Sequence, residues 1–390
     1  MESKNERPCC CCAPYPVIDL STGYVKSRES GKSGSEENES LKKRVMDACT
    51  KYGCFHVKIN HAALGEKSSF TKSSIEMLFE ESCISPQVKR DMMPASFQSR
   101  DGIIKSAKYR GREAESGGTS GLEPKQSWEY FRCHNMIQSE KEGVERMDRL
   151  TVLEDVTKIF HKVAISFFSL LDLPRGIFID ENQCKCDTQE SECYCSIDLL
   201  RAFKYDALTD GHETNLGSSP HTDWGALTVV WSSQEGLQIY CHEHKCWNTV
   251  ELQEDDEEDE YVRLFLHVGD FTSLSMCTSG TKFSSPLHRV LCPKKRTDSH
   301  GTTFDESRYS LVYFAYPPTG VSLEDGRLSL PSKYAPDKKT TNKFHYDRFM
   351  VLKNQSLAAS SSQSEEGVYR QIQNLPFNEV IEQKWKQVQR

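Results

Sequence analysis

The sequence contains no apolar run approaching the roughly 18 residues that a transmembrane helix requires, and its first twenty residues lack the apolar stretch of a secretory signal. No membrane partner is therefore expected, and a cytoplasmic, reducing location is the default. Positive charge is also short. The 49 Lys and Arg stand against 57 Asp and Glu, leaving a formal net charge of -8, which argues against a nucleic-acid or anionic-membrane binder. Hydrophobic residues reach only 37%, enough for a core but with sizeable polar loops or tails around it. No internal repeat is present.

Cysteine, by contrast, is plentiful, with 16 residues. Without an export signal they do not read as a disulfide framework. Cys9, Cys10, Cys11 and Cys12 lie in a polar tail that carries no lipidation motif. Cys184, Cys186, Cys193 and Cys195 form C-x-C-x6-C-x-C. Structural zinc sites space each pair by two to four residues, so a loop insertion is the expectation here, ahead of a second metal site.

The 390 residues fit one large domain or two small ones. Residues 1–13 read as a disordered Cys-rich tail, 14–175 as an N-terminal α/β region, 196–320 as a β-rich core and 321–390 as a C-terminal helical extension. Residues 16–20 (PVIDL) have strand character, and 27–40 read as a Ser/Gly/Glu-rich loop insertion. Leu41, Val45, Ala48 and Tyr52 recur at helical spacing, and Gly53 stands where that helix would stop. Residues 54–59 (CFHVKI) follow as a strand. A long helix is expected over about 150–171, where Val152, Val156, Ile159, Phe160, Val163, Phe167, Leu170 and Leu171 form one apolar stripe, with Pro174 closing it. From about 198 short β-rich runs take over: LLRAFKY, ALTVVW, GLQIY, YVRLFLHV, FTSLSM, HRVLC and YSLVYFAY. Many short strands separated by turn residues indicate a sandwich or jelly roll. The acidic run 254–260 reads as a solvated loop, since it lacks the alternation and glycine of a calcium loop. Short helices are expected near 344–352 and near the end.

Residues 219–228 read SPHTDWGALT. On a strand, positions two apart share a face, so His221 and Asp223 would converge. His288 lies 65 positions further on, in PLHRV. Two imidazoles and one carboxylate on one side of a metal leave the opposite positions open, the facial triad of non-haem iron(II) oxygenases. Arg308 and Ser310 would share a face of a later strand by the same alternation. A guanidinium fork accepts a carboxylate bidentately, and a hydroxyl adds a third bond. Together they imply a co-substrate with one carboxylate for the arginine and a chelating end for the metal, which is the shape of 2-oxoglutarate. His242 and His244 read as exposed on a hairpin turn, while His212, with Glu213, reads as a loop residue and His267 as a structural strand residue.

With those residues in place, the sequence resembles the isopenicillin N synthase-like family of 2-oxoglutarate/iron(II) oxygenases. The resemblance runs along nearly the whole chain: PVIDL, Tyr52-Gly53-Cys54-Phe55 with Asn60-His61, the aromatic segment Trp128, Tyr130 and Phe131, HTDWGALT, GLQIY, Val268-Gly269-Asp270, LHRV, and Arg308-Tyr309-Ser310 with Phe314 to Pro317. It implies a double-stranded β-helix core, mostly β with flanking α, a long backbone helix, and a small-molecule substrate bound by a monomer. It also implies that Tyr205 helps bind the co-substrate, although Phe203 replaces the asparagine usual two positions earlier. Three alternatives stay open at this level: an iron oxidase on the same scaffold that does not use 2-oxoglutarate, a non-catalytic metal-binding homologue, and a zinc hydrolase with the same ligands.

Overall fold

A computed structural model describes residues 14–21, 36–61, 72–80, 108–110, 125–132, 144–173, 175–178, 198–208, 216–252, 261–276, 283–297, 303–304, 306–318 and 321–322. The two cysteine clusters, His212, the acidic run and the expected C-terminal helices lie outside these residues. The N-terminal part supplies β1 (Val17–Asp19), α1 (Glu36–Lys51), β2 (Cys54–Asn60), α2 (Lys72–Met77), β3 (Lys108–Arg110), β4 (Lys125–Arg132), α3 (Val144–Leu170) and α4 (Arg175–Phe178). The β-rich part supplies β5 (Asp198–Tyr205), β6 (Leu216–His221), β7 (Leu227–Ser232), β8 (Leu237–Cys241), β9 (Cys246–Thr249), β10 (Tyr261–Val268), α5 (Asp270–Ser275), β11 (His288–Leu291), β12 (Arg296–Thr297), β13 (Thr303–Phe304) and β14 (Arg308–Ala315).

Two sheets carry the architecture. The larger runs β1-β2-β10-β7-β14-β5-β4-β3 and the smaller β6-β11-β8-β9. From β5 onward the chain passes back and forth between them: β5 large, β6 small, β7 large, β8 and β9 small, β10 large, β11 small, β14 large. That alternation winds the strands into a double-stranded β-helix, as the sequence predicts. Strand alternation then sorts the side chains of the large sheet. One set (Phe55, Val57, Leu200, Ala202, Leu227, Val229, Leu264, Leu266, Leu311 and Tyr313) joins Val156, Phe160, Val163 and Phe167 of α3 in one buried cluster. The opposite set includes Phe203, Tyr205, Val230 and Phe265, which pack with Leu237, Ile239 and Val290 of the small sheet. The polar residues of that second, inward-facing set build the site.

Several local expectations need correction. Residues 36–40 belong to α1 rather than to a loop; Glu39 suits the first turns of a helix, where the dipole favours negative charge. α1 ends as expected: Gly53 has φ +71 and donates its N–H to the Ala48 carbonyl (3.0 Å). α3 begins at Val144, several residues before the expected start, because VERMDRL contains no helix breaker. Its end is made by Asp172, at φ 53, and by the Leu173 N–H reaching back to Phe168; Pro174 is outside the described residues. FTSLSM forms α5, not a strand. Phe271 and Leu274 are three apart, a helical spacing that a six-residue window cannot separate from β alternation.

The inward face also carries His56, whose ring lies 5.1 Å from that of Phe265. Burial pulls its imidazole down to about 4 from its usual 6.5. Its folded pKa is thus the lower one. Above pH 6.5 it has no effect, and between 6.5 and 4 the unfolded chain takes up a proton that the folded chain refuses. Stability is therefore lost across that window, by on the order of 3 kcal/mol in full. His56→Phe is expected to shrink the drop in urea midpoint between pH 7 and pH 4; an unchanged drop would refute the assignment.

Candidate metal centre

β6 ends on His221, so Asp223 does not share a strand with it, contrary to the alternation argument. The two side chains converge because the chain turns. The Asp270 N–H at the start of α5 donates to the Asp223 carbonyl (2.7 Å), and the Phe271 N–H donates to the carbonyls of Trp224 and Gly225 (3.2 Å each). The turn is thereby clamped to α5. His288 opens β11, directly across the small sheet from His221. Potential ligand atoms of His221, Asp223 and His288 all lie within 4.8 Å of one another, and among the described residues no other such group of three is found.

The hydrogen bonds around these side chains select the atoms that face inward. His221 Nδ1 lies 2.6 Å from the Ser219 carbonyl and His288 Nδ1 lies 3.2 Å from that of Pro286. A carbonyl only accepts, so each Nδ1 carries the proton and each Nε2 presents a lone pair. Those Nε2 atoms lie 3.6 and 3.7 Å from Asp223 Oδ1. Asp223 Oδ2 accepts from the Thr228 hydroxyl (2.6 Å). Burial acts to raise the Asp223 carboxyl, but His288, His267, His221 and the Thr228 hydroxyl together outweigh it and hold the group below its ordinary value. Burial, and then His221, push the His288 imidazole well down, which keeps it neutral and fit to ligate. One side of the centre is open: the His221 side chain is 39% exposed, while those of Asp223 and His288 are 6% exposed. Two nitrogens and one hard oxygen, with a vacant face, suit iron(II).

Arg308 and Ser310 do share the inward face of β14, as expected. Arg308 pairs with Tyr205 of β5, and Ser310 lies between Phe203 of β5 and Ser232 of β7. Arg308 is 1% exposed. Its Nε donates to the Gln234 carbonyl (3.0 Å), one terminal nitrogen donates to the Ser232 hydroxyl (2.6 Å), and its carbon lies 5.2 Å from the Tyr205 ring centre. The other terminal nitrogen is buried with no hydrogen-bond partner among the described residues. Gly236, at φ +139, packs against this side chain: a Cβ there would meet Arg308 Cδ and Nε at 3.1 Å and the Leu291 carbonyl at 2.8 Å. A buried cation with no ion pair to a carboxylate among the described residues, and with a nitrogen left over among them, fits an anionic group supplied from outside the chain.

Sequence reasoning missed the residues that hold these groups. Ser232 and Gln234 fix the guanidinium, and Thr228 and His267 lie against Asp223. Thr228 and His267 are register partners on β7 and β10, a relation visible only once the sheet order is known. His242 and His244 are exposed in the turn between β8 and β9, as expected.

Residues 196–317 match the model of the 2OG-Fe(II) oxygenase superfamily. The chain is similar to the 2-oxoglutarate-dependent dioxygenase gloE of Glarea lozoyensis, at 26% identity over 85% of this chain and 92% of that one. It is also similar to the 2-oxoglutarate-dependent dioxygenase FG08081 of Gibberella zeae, at 24% identity over 74% and 79% of the two chains. Among solved structures, the dioxygenase for auxin oxidation 1 of Arabidopsis thaliana, in complex with 2-oxoglutarate, shares the fold with a TM-score of 0.51 at 18% identity, over 83% of this chain and 100% of that one. A full-length Neurospora crassa protein in complex with alpha-KG does so with a TM-score of 0.50 at 16% identity, over 86% and 95%.

Proposed function

We propose that this chain belongs to the 2OG-Fe(II) oxygenase superfamily, whose model residues 196–317 match, and that it is a 2-oxoglutarate-dependent dioxygenase that hydroxylates a small organic molecule. His221, Asp223 and His288 are the residues that would hold iron(II), and Arg308, Ser310 and Tyr205 those that would hold the far carboxylate of 2-oxoglutarate. The observation that carries this reading is the buried Arg308 nitrogen without a partner among the described residues, in the same interior as the three ligands. Iron(II) bound there supplies the activation of dioxygen, with 2-oxoglutarate converted to succinate and carbon dioxide.

The chain's own contribution is placement. Two imidazoles are held by backbone carbonyls with Nε2 inward, the carboxylate is held ionised, and the guanidinium is oriented by Ser232 and Gln234. Asp223 and His288 are buried between the two sheets, and His221 is the more exposed of the three. Within the superfamily we place the chain in the isopenicillin N synthase-like branch, on the strength of HTDWGALT, LHRV and RYS. The division into 14–175, 196–320 and 321–390 belongs to the same reading, as does a monomer in the cytosol.

The test is anaerobic addition of iron(II) and 2-oxoglutarate to the purified protein. A visible charge-transfer band is expected, and on admitting air and a panel of small organic substrates, succinate release should track dioxygen uptake. If no band forms and dioxygen uptake proceeds without succinate, the assignment of 2-oxoglutarate to the Arg308 pocket is wrong.

A further inference from the structure

The two oxygens of Asp223 have different surroundings. Oδ1 faces the Nε2 atoms of His221 and His288. Oδ2 points the other way, taking the Thr228 hydroxyl at 2.6 Å and lying 3.5 Å from Nε2 of His267. His267 is buried, its ring centre 4.6 Å from that of His288 and 6.5 Å from that of Phe265. Its Nδ1 has no hydrogen-bond partner among the described residues. A buried unsatisfied nitrogen costs on the order of 1–3 kcal/mol, so a ring kept only to fill space would be better replaced by a hydrocarbon of similar volume. What the imidazole adds, and a hydrocarbon would not, is a polar ring nitrogen 3.5 Å from Oδ2.

We infer that His267 is a positioning residue: with Thr228 it keeps Oδ2 of Asp223 occupied, so that the carboxylate offers a metal one oxygen and not two. The inference rests on the proposed metal centre. Its consequence is a matter of coordination positions. If a six-coordinate iron(II) were bound there, three protein atoms would leave three positions, enough for a chelating co-substrate and dioxygen. A carboxylate binding through both oxygens would take one of those three and compete with the chelate. Thr228 holds one side of Oδ2 at 2.6 Å, and the His267 Nε2, at 3.5 Å, holds the other by its polarity, so that rotation bringing Oδ2 round to the metal side would give up both.

The test compares His267→Leu, His267→Phe and His267→Gln with the unaltered protein, each shown by circular dichroism to be folded. Leucine and phenylalanine remove the nitrogens, phenylalanine keeping the ring against His288; glutamine returns an N–H at similar reach. The readouts are the visible band of the anaerobic iron(II)–2-oxoglutarate complex and the 2-oxoglutarate concentration that half-saturates it. Leucine and phenylalanine are expected to shift the band and raise that concentration about tenfold, within the range usual for groups behind metal ligands, with glutamine restoring both. Unaltered values in the phenylalanine variant, or a failure of glutamine to restore them in a folded protein, would overturn the role of His267. Absence of the band from the unaltered protein would instead overturn the proposed iron(II)–2-oxoglutarate site on which the inference rests.

Discussion

Asp223→Ala is expected to abolish succinate formation and to weaken iron(II) or manganese(II) binding by more than about a hundredfold, beyond the 10–100-fold typical of changes behind the ligands. The carboxylate is the single anionic group among the three candidate ligands, and the negative charge is held there by three imidazoles and a hydroxyl that together overcome the effect of burial. Its removal leaves two neutral imidazoles facing a divalent cation. The substitution also strips the Thr228 hydroxyl of its partner, at a stability cost of about 1–3 kcal/mol. Folding must therefore be checked separately, and Asp223→Asn provides the control: an amide oxygen can still accept from Thr228 but brings no charge. Both variants should be inactive, with the asparagine form nearer to normal stability. Full turnover by either would remove Asp223 from the metal centre.

What can be read from the residues alone depends on the range of the interaction. HTDWGALT, LHRV and RYS name side chains whose chemistry is independent of context, so a candidate ligand set and a candidate carboxylate anchor are accessible. The route by which His221 and Asp223 meet is not. Strand alternation predicts the right neighbours, but the structure uses a turn clamped to α5, a helix whose sequence, FTSLSM, reads as a strand. Short segments with apolar residues three apart satisfy both periodicities nearly as well, and only the Gly269–Asp270 start and the tertiary bonds to Asp223, Trp224 and Gly225 decide between them. His267 shows the same limit from the other side. Alternation in β10 correctly identifies a buried strand residue, yet its place behind Asp223 follows from the pairing of β10 with β7, which no local pattern encodes. Long-range register, more than residue type, is the information that the linear sequence withholds.

Register also makes Arg308 the most informative position for deciding what the pocket holds. Arg308→Ala is expected to raise the apparent 2-oxoglutarate constant by roughly 30- to 5,000-fold, following the 2–5 kcal/mol typical of removing one partner of a buried, hydrogen-bonded charge pair. The effect on turnover at saturating co-substrate should be smaller, because the chelating end of 2-oxoglutarate would be held by the metal and not by this side chain. Arg308→Lys should recover only part of the affinity. A lysine offers a point charge in place of a planar fork, and it cannot at once satisfy the Gln234 carbonyl and the Ser232 hydroxyl as the guanidinium does. The alanine variant leaves a side-chain-sized space against Tyr205 and Gly236, so added guanidinium is expected to restore part of the 2-oxoglutarate affinity. That rescue separates loss of the anchor from general damage to β14, which a soluble cation could not repair. If the apparent 2-oxoglutarate constant is unchanged while the constant for another carboxylate-bearing substrate rises, the arginine grips the substrate itself, and the chain is an oxidase that does not consume 2-oxoglutarate.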